Sequence, residues 1–508
     1  MPESVRQVNP WIVAISVMFG TFMEVLDTTV VNVSLPHIAG SMSATTEEAT
    51  WVLTSYLVAN AIILPMTGWL ASQFGRKRLL MISVTGFTIA SFFCGLAPNM
   101  AALIVFRCFQ GAFGGALQPL SQAVLLEAFP PQDRGKAMGF WGLGIVVAPI
   151  LGPVLGGYLT DSYNWRWVFY VNIPVGIASI VMVRLFLFDP PYLRRKAASI
   201  DYLGMGLLTL AIASIQILLD KGEQDDWLSS VFIRTLLVIG VLGSIAFVVR
   251  ELTAEHPVVN LRVLKERTFS AGIILITMVG FVLYGSMVLL PIWLQTLLGY
   301  PAVEAGLTLA PRGIGSFIAM PVVGMLVSKI DPRKIIVGGL LTTAVTLFQF
   351  SKLSLAAGYW DFFWPQFFQG IAMGMVFVPL TTVTMSRIPR EQMGNATSIN
   401  SLMRNVGASL GIASLTTYMS RQQQVHLNHL AAHVSPYNAM TQKMMANMPG
   451  TPQQGYARMW GMVSRQAAIL SYVDAFILLA AIFAALVPLI FLMKRPARGA
   501  APPAGAAH

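Results

Sequence analysis

Apolar runs long enough to cross a bilayer, separated by short polar connections, recur along all 508 residues of this chain. In hydrocarbon every backbone polar group must be satisfied internally, which leaves only helices and closed barrels. These runs are too long for barrel strands, and a helix needs about 20 residues to cross the apolar core. Fourteen segments qualify, at roughly 11–34, 51–70, 79–97, 101–125, 138–158, 168–188, 202–219, 231–249, 269–292, 304–327, 335–353, 362–385, 396–418 and 471–493. Composition points the same way: 55% of residues are hydrophobic and 11% charged, where a soluble domain has about 25% charged. The sequence therefore predicts an all-α polytopic membrane protein with 14 transmembrane helices.

The net charge of +11 could suggest a nucleic-acid binder. The placement of the cations excludes that reading. Clusters such as Arg76-Lys77-Arg78, Arg194-Arg195-Lys196, Arg333-Lys334 and Lys494-Arg495 fall in alternate connections. The remaining short loops carry only Arg166, Lys221 and Lys352. The positive-inside rule then puts both termini in the cytoplasm, in agreement with the even span count. Cys94 and Cys108 lie within apolar runs, so neither a structural disulfide nor a metal-like Cys/His spacing is expected.

Two carboxyls stand inside the first span. Glu24 and Asp27 are three residues apart and share a helix face, with Asn32 on roughly the opposite side. Charges in such a segment must face a bundle interior or a watery cavity, and they mark a functional site. In span 4, Arg107 lies at the same depth as Asp27, each about six residues or roughly 9 Å below the outer face. The two are plausible partners; alternatively Arg107 snorkels outward.

The chain also repeats itself. Pro65, Gly68, Leu70, Ser72, Lys77 and Arg78 recur as Pro321, Gly324, Leu326, Ser328, Arg333 and Lys334, an offset of 256 (324 − 68). Gln110-Gly111 recurs as Gln369-Gly370, while Gln366 takes the place of Arg107. Two six-helix halves are expected, 1–188 and 269–493, with a linker at 189–268 that inserts spans 7 and 8. Parallel repeats of six spans are a transporter architecture, with the substrate site near the midplane between the halves.

Two motifs suit moving helices. Gly68, Gly75 and Arg76 lie in the tight, cationic span 2–3 loop, whose cations can cap helix C-termini or pair with acids of a neighbouring span. Span 5 carries Pro149, Gly152, Pro153, Gly156 and Gly157: the prolines interrupt its hydrogen bonds and the glycines allow close packing.

Together with the stretch from Leu26 to Pro36, Arg107 and Gln110-Gly111, these motifs resemble signatures of the major facilitator superfamily. The fourteen spans and the stretch from Asn164 to Gly176 resemble its drug:proton antiporter branch, nearest the EmrB-type multidrug exporters. The resemblance implies a major facilitator fold and export of hydrophobic or amphipathic compounds across a bacterial cytoplasmic (inner) membrane. It implies no cofactor beyond the proton as coupling ion, with proton coupling at Asp27 and Arg107; Glu24 is the further carboxyl. It also implies a periplasmic adaptor of EmrA type and an outer-membrane channel as partners. One departure stands out: Ser72 occupies a position where the loop motif usually has Asp.

Other polar residues are open to two readings. Arg312 and Arg404, inside spans 10 and 13, can pair with Glu24 or hold helices together. Gln110, Gln118, Tyr284, Gln295, Gln366 and Gln369 can line a substrate cavity or pack helices. The 27 Met and 29 Phe fit an adaptable pocket as well as a lipid-facing surface. No nucleotide-binding loop and no hydrolytic triad pattern is present, so neither an ATP-driven pump nor an enzyme is expected. A narrow exporter of a native metabolite, siderophore or lipid, and a non-transporting sensor or scaffold, are the alternative readings.

The external segment 420–470 has no carboxylate, and its apolar residues are spaced as in two short amphipathic helices, punctuated by Pro436 and Pro449-Gly450, leading into span 14. It must lie on lipid, on its own protein or on a partner. The Pro/Ala/Gly-rich tail, 494–508, is expected to be a disordered cytoplasmic end.

Overall fold

The computed structural model describes residues 9–189, 201–255, 257–435, 437–447 and 451–493. The tail at 494–508, the linker residues 190–200, and the expected helix breaks at Pro436 and Pro449-Gly450 lie outside the described residues.

Each expected span is helical. The first half comprises α1 (Pro10–Ser41), α2 (Thr46–Phe74), α3 (Arg76–Leu96), α4 (Met100–Gly114), α5 (Leu117–Ala128), α6 (Arg134–Ser162), α7 (Trp167–Tyr170) and α8 (Asn172–Phe186). The insert is α9 (Tyr202–Lys221) and α10 (Val231–Thr253). The second half comprises α11 (Arg267–Thr296), α12 (Ala302–Leu326), α13 (Pro332–Phe350), α14 (Tyr359–Thr384), α15 (Met393–Ala432), α16 (Ala439–Ala446) and α17 (Pro452–Leu486). Span 4 is broken between α4 and α5, and span 6 between α7 and α8.

Among the described residues, 12 helices are long and apolar enough to cross a membrane by length and composition. The other two expected spans, in α13 and α15, are helical but more polar. α13 opens on Arg333 and Lys334, and α15 buries Ser398, Asn400, Ser401 and Arg404 along its inner face.

Local chemistry sets the helix ends. The Asn9 side chain accepts the Trp11 amide at 3.0 Å with Pro10 in the first turn. Thr45 and Glu48 form a capping box on α2. Gly75, at φ 81°, makes the turn from α2 into α3 in a conformation that other residues resist.

Glycines set the closest helix contacts, and they do so twice over. A Cβ on Gly111 of α4 would lie 2.3 Å from the Tyr56 carbonyl oxygen of α2. A Cβ on Gly370 of α14 would lie 2.0 Å from the Arg312 carbonyl oxygen of α12. The sequence repeat is thus a repeat of packing. Gly152 and Gly156 of α6 lie against Thr29 and Val30 of α1, while Gly407 and Gly411 of α15 lie against Thr277 and Phe281 of α11. α6 remains one helix through Pro149 and Pro153, and Gly157 is buried along it.

The halves meet along two seams. On one, Gly135 of α6 and Gly324 of α12 bring their backbones together, each Cβ position within 2.7 Å of the other residue's carbonyl oxygen. On the other, Gly68 of α2 faces the Asn395 backbone of α15, 2.7 Å from a Cβ position. The inserted α9 lies against α2 and α15. It reaches the first half through Asp220–Thr54 and Lys221–Thr50 contacts, and the second through Gln216–Ser409 at 2.9 Å. α10 packs on α9 and keeps a broad apolar face of exposed residues such as Val238, Leu242 and Ile245.

The external segment differs from expectation in one respect. Its first amphipathic stretch is no separate helix but the outer end of α15, which runs for 40 residues. No Pro or Gly interrupts the chain between Gly411 and Ala432, so the helix continues. α16 and the outer turns of α17 follow; His426 of α15 is tied to Asp474 of α17 at 2.7 Å.

Replacing Gly156 with Leu should force α6 away from α1 and lower stability by roughly 1–3 kcal/mol or more. Gly206→Leu, at a position with nothing within 4 Å of the Cβ, should be neutral. Thermal unfolding of the purified variants checks both; equal melting temperatures would refute the packing role of Gly156.

Candidate functional site

Asp27 and Arg107 are partners. Both side chains are fully buried, and the guanidinium Nη1 lies 2.5 Å from the Asp27 Oδ2. An ion pair in this setting needs hydrogen bonds to satisfy what remains of each charge, and the neighbours supply most of them, leaving only Arg107 Nη2 of the pair without a hydrogen-bond partner among the described residues. Asp27 Oδ1 accepts from Gln110 Nε2 at 2.9 Å and from Asn172 Nδ2 at 2.7 Å. Arg107 also donates from Nη1 to Gln110 Oε1 at 2.7 Å and from Nε to the Val52 carbonyl at 3.0 Å. Its guanidinium lies over the Tyr56 ring, 4.2 Å from the centroid. Asn172 is in turn placed by Ser91 at 3.0 Å. The carboxylate of α1 thus holds α4 and α8 together, and the side face of α2 closes over the pair. Asn32 is exposed.

Glu24 enters a second cluster, one turn along the same helix, where the two halves meet. Its Oε1 accepts from Asn60 of α2 at 2.9 Å and from Gln118 of α5 at 3.3 Å. The side-chain Oε1 of Gln118 accepts from Arg404 of α15 in the opposite half. Arg404 also faces Trp141 of α6 and Phe377 of α14, rings that stack with centroids 5.7 Å apart. Several buried polar atoms here have no hydrogen-bond partner among the described residues: Glu24 Oε2, Arg404 Nη1, and both amide atoms of Gln122 and of Asn400. Unsatisfied polar groups of this kind are costly unless a ligand or water takes them up. The arrangement suits a site that binds polar parts of a guest beside aromatic walls. Tyr284 is half-buried and within electrostatic range of Arg404.

Of the expected cavity residues, Gln110 belongs to the Asp27 cluster and Gln118 to the Glu24 cluster. Gln366 and Gln369 hold Arg312, which donates to them at 2.7 and 2.5 Å. Gln295 is exposed at the outer end of α11 and is not brought together with the rest. Arg404, not Arg312, is the arginine linked to Glu24.

At the turn from α2 to α3, Ser72 spends its hydroxyl on the Trp69 carbonyl of its own helix, 2.7 Å away. Acids from other spans take over where the loop motif usually has Asp. Arg76 pairs with Glu127 at the end of α5. Asp189 accepts the Lys77 amide at 2.8 Å, and Lys77 Nζ caps the Arg184 carbonyl of α8 at 2.8 Å. Both cysteines are free. Among the described residues no group of His, Cys, Asp or Glu is placed to hold a metal.

Sequence reasoning missed the roles of Asn172, Asn60, Glu127 and Asp189. Asn172 lies in a stretch already notable for its pattern, and a polar residue in an apolar span is the signal that could have found it. Asn60, inside the apolar span 51–70, carries the same signal, whereas Glu127 and Asp189 act across distant parts of the chain and leave no local trace.

A bundle of membrane helices in two repeated halves, with a buried charge pair in one half and polar clusters at the seam, defines a multi-pass membrane transporter. Residues 17–412 match the Major Facilitator Superfamily, and the chain belongs to that family. It is 38% identical over 503 residues to the multidrug export protein EmrB of Escherichia coli (strain K12), covering 98% of each chain. It is 37% identical to the fatty acid resistance protein FarB of Neisseria gonorrhoeae, over 95% of this chain and 96% of that one. The crystal structure of the human organic anion transporter MFSD10 (TETRAN) shares the fold, with a TM-score of 0.61 at 12% identity over 94% of this chain and 99% of that one.

If Asp27 and Arg107 act as a pair, Arg107→Leu should destabilise by roughly 3–5 kcal/mol, because it strands a buried carboxylate. Asp27→Leu with Arg107→Leu should recover most of that loss. Additive losses in a double-mutant cycle would contradict the pairing.

Proposed function

We propose that this chain exports hydrophobic and amphipathic compounds across the bacterial cytoplasmic membrane in exchange for inward-moving protons, with both termini in the cytoplasm. The observation that carries the reading is the Asp27 carboxylate, fully buried and held by donors from α4 and α8. Export of hydrophobic compounds fits the full-length likeness to multidrug export and fatty acid resistance proteins.

The geometry supplies a route for coupling. A proton on Asp27 cancels one charge of the pair and leaves Arg107 with the Val52 carbonyl and the Tyr56 ring. The hold of α1 on α4 and α8 then weakens. Glu24 lies one turn away on the same helix and reaches Arg404 of the other half through Gln118. A shift of α1 is therefore felt at the seam where the halves meet. The span 5 glycines lie directly on this moving helix, and the Arg76–Glu127 pair acts as the inner latch. Substrate binding at the inward-open seam favours release of the proton to the cytoplasm; outward opening lets the acid reload. Lipid surrounds the bundle, and the proton is the only coupling species the scheme uses.

The outer end of α15, α16 and the outer turns of α17 form the dock for a periplasmic adaptor of EmrA type, which connects to an outer-membrane channel. What supports this is the length of α15 and the exposed Tyr456 and Trp460 beside it. Such exposed aromatics suit a partner surface.

Asp27→Asn should abolish proton-driven uptake of dye in inverted vesicles, a loss of tenfold or more, while some substrate binding remains, since an amide cannot titrate. Wild-type transport against a gradient by this variant would refute the assignment. Deleting 422–455 should spare vesicle transport yet abolish adaptor co-purification and cellular resistance. Surviving adaptor binding would move the dock elsewhere; failed vesicle transport would make the segment a lid.

A further inference from the structure

The second half contains a buried arginine that has no carboxylate partner among the described residues. Arg312 is 5% exposed and lies within α12. It donates from Nε to Gln366 Oε1 and from Nη2 to Gln369 Oε1. α11, α13 and α15 carry no Asp or Glu. Glu304 and Asp361 lie exposed in the first turns of α12 and α14. Asp474 of α17 is held by His426. None of these acids is bonded to Arg312.

The internal repeat shows what is missing. Arg312 stands at the position of Tyr56 (312 − 256), Gln366 at that of Arg107 and Gln369 at that of Gln110. In the first half, Arg107, Gln110 Nε2 and Asn172 Nδ2 all donate to the Asp27 carboxylate. In the second half the donors are present and the acceptor is not. An arginine can only donate, so both glutamines must turn their oxygens toward it, which fixes the amide orientation. Their Nε2 groups are then buried donors, and neither has a partner among the described residues. A guanidinium and two free amide donors converge in a place of low dielectric, where an uncompensated charge is expensive.

We propose that Arg312, Gln366 and Gln369 form a binding site for a small monovalent anion. The anion is chloride or the carboxylate of a transported amphiphile, and it takes the part in the second half that Asp27 plays in the first. The site stands apart from proton coupling at Asp27, so either reading can fail without the other.

The test uses the purified full-length protein in detergent, with thermal unfolding followed in sodium chloride and in sodium gluconate at equal ionic strength. Decanoate is compared with decanol in gluconate. An anion that binds only the folded state should raise the melting temperature by roughly 2 °C or more. A response to chloride assigns an inorganic ion; a response to decanoate alone assigns a substrate carboxylate. Gln369→Glu builds a carboxylate into the site, so this variant should melt in gluconate at least as high as the wild type in chloride and lose the anion response. Arg312→Gln should lose the response as well. No shift with either anion in the wild type would overturn the proposal, as would a full response in folded Gln369→Glu protein.

Discussion

The ion pair between Asp27 and Arg107 is the interaction that the first half is built around. Neither charge is tolerable alone in a membrane interior, and each accounts for the other's presence. Their shared hydrogen-bond network draws in Gln110, Asn172 and Ser91, so that α1, α3, α4 and α8 meet at one carboxylate. α2 contributes a carbonyl and an aromatic face rather than a charge. A single proton therefore changes the contacts of several helices at once.

The two halves repeat in backbone packing and differ in charge. The Gly111–Tyr56 and Gly370–Arg312 contacts are the same close approach built twice. On that common frame the first half carries an acid–base pair, while the second carries an arginine held by two glutamines. On the proposed reading the asymmetry separates the tasks: titration in one half, neutral hydrogen-bonding and anion contact in the other. The seam between them is polar at Glu24, Gln118 and Arg404, and glycine-lined at Gly68, Gly135 and Gly324, so the halves touch closely without large interlocking side chains. The inserted α9 bridges that seam from the α2–α15 side and ties the insert to both halves.

Much of this was legible in the sequence. Hydrophobic run length set the spans, because hydrocarbon admits few alternatives. Equal depth in spans 1 and 4 pointed to Asp27 and Arg107. What stayed hidden depends on tertiary contact. The link from Glu24 to Arg404 passes through Gln118 and joins three helices far apart in the chain. Asp189 and Glu127 meet the α2–α3 loop from parts of the chain far from Ser72. The C-terminal end of α15 reads as a separate amphipathic helix because its composition turns polar beyond Tyr418, although its backbone does not break.

The central claim is that substrate and proton compete through the Asp27 carboxylate. Proton release on substrate addition, measured with a pH indicator in weakly buffered detergent solution, tests it most directly. The account predicts that a hydrophobic compound exported by the wild type releases protons from the wild-type protein and none from Asp27→Asn. Equal release from both proteins, or substrate binding to the wild type without any release, would contradict it.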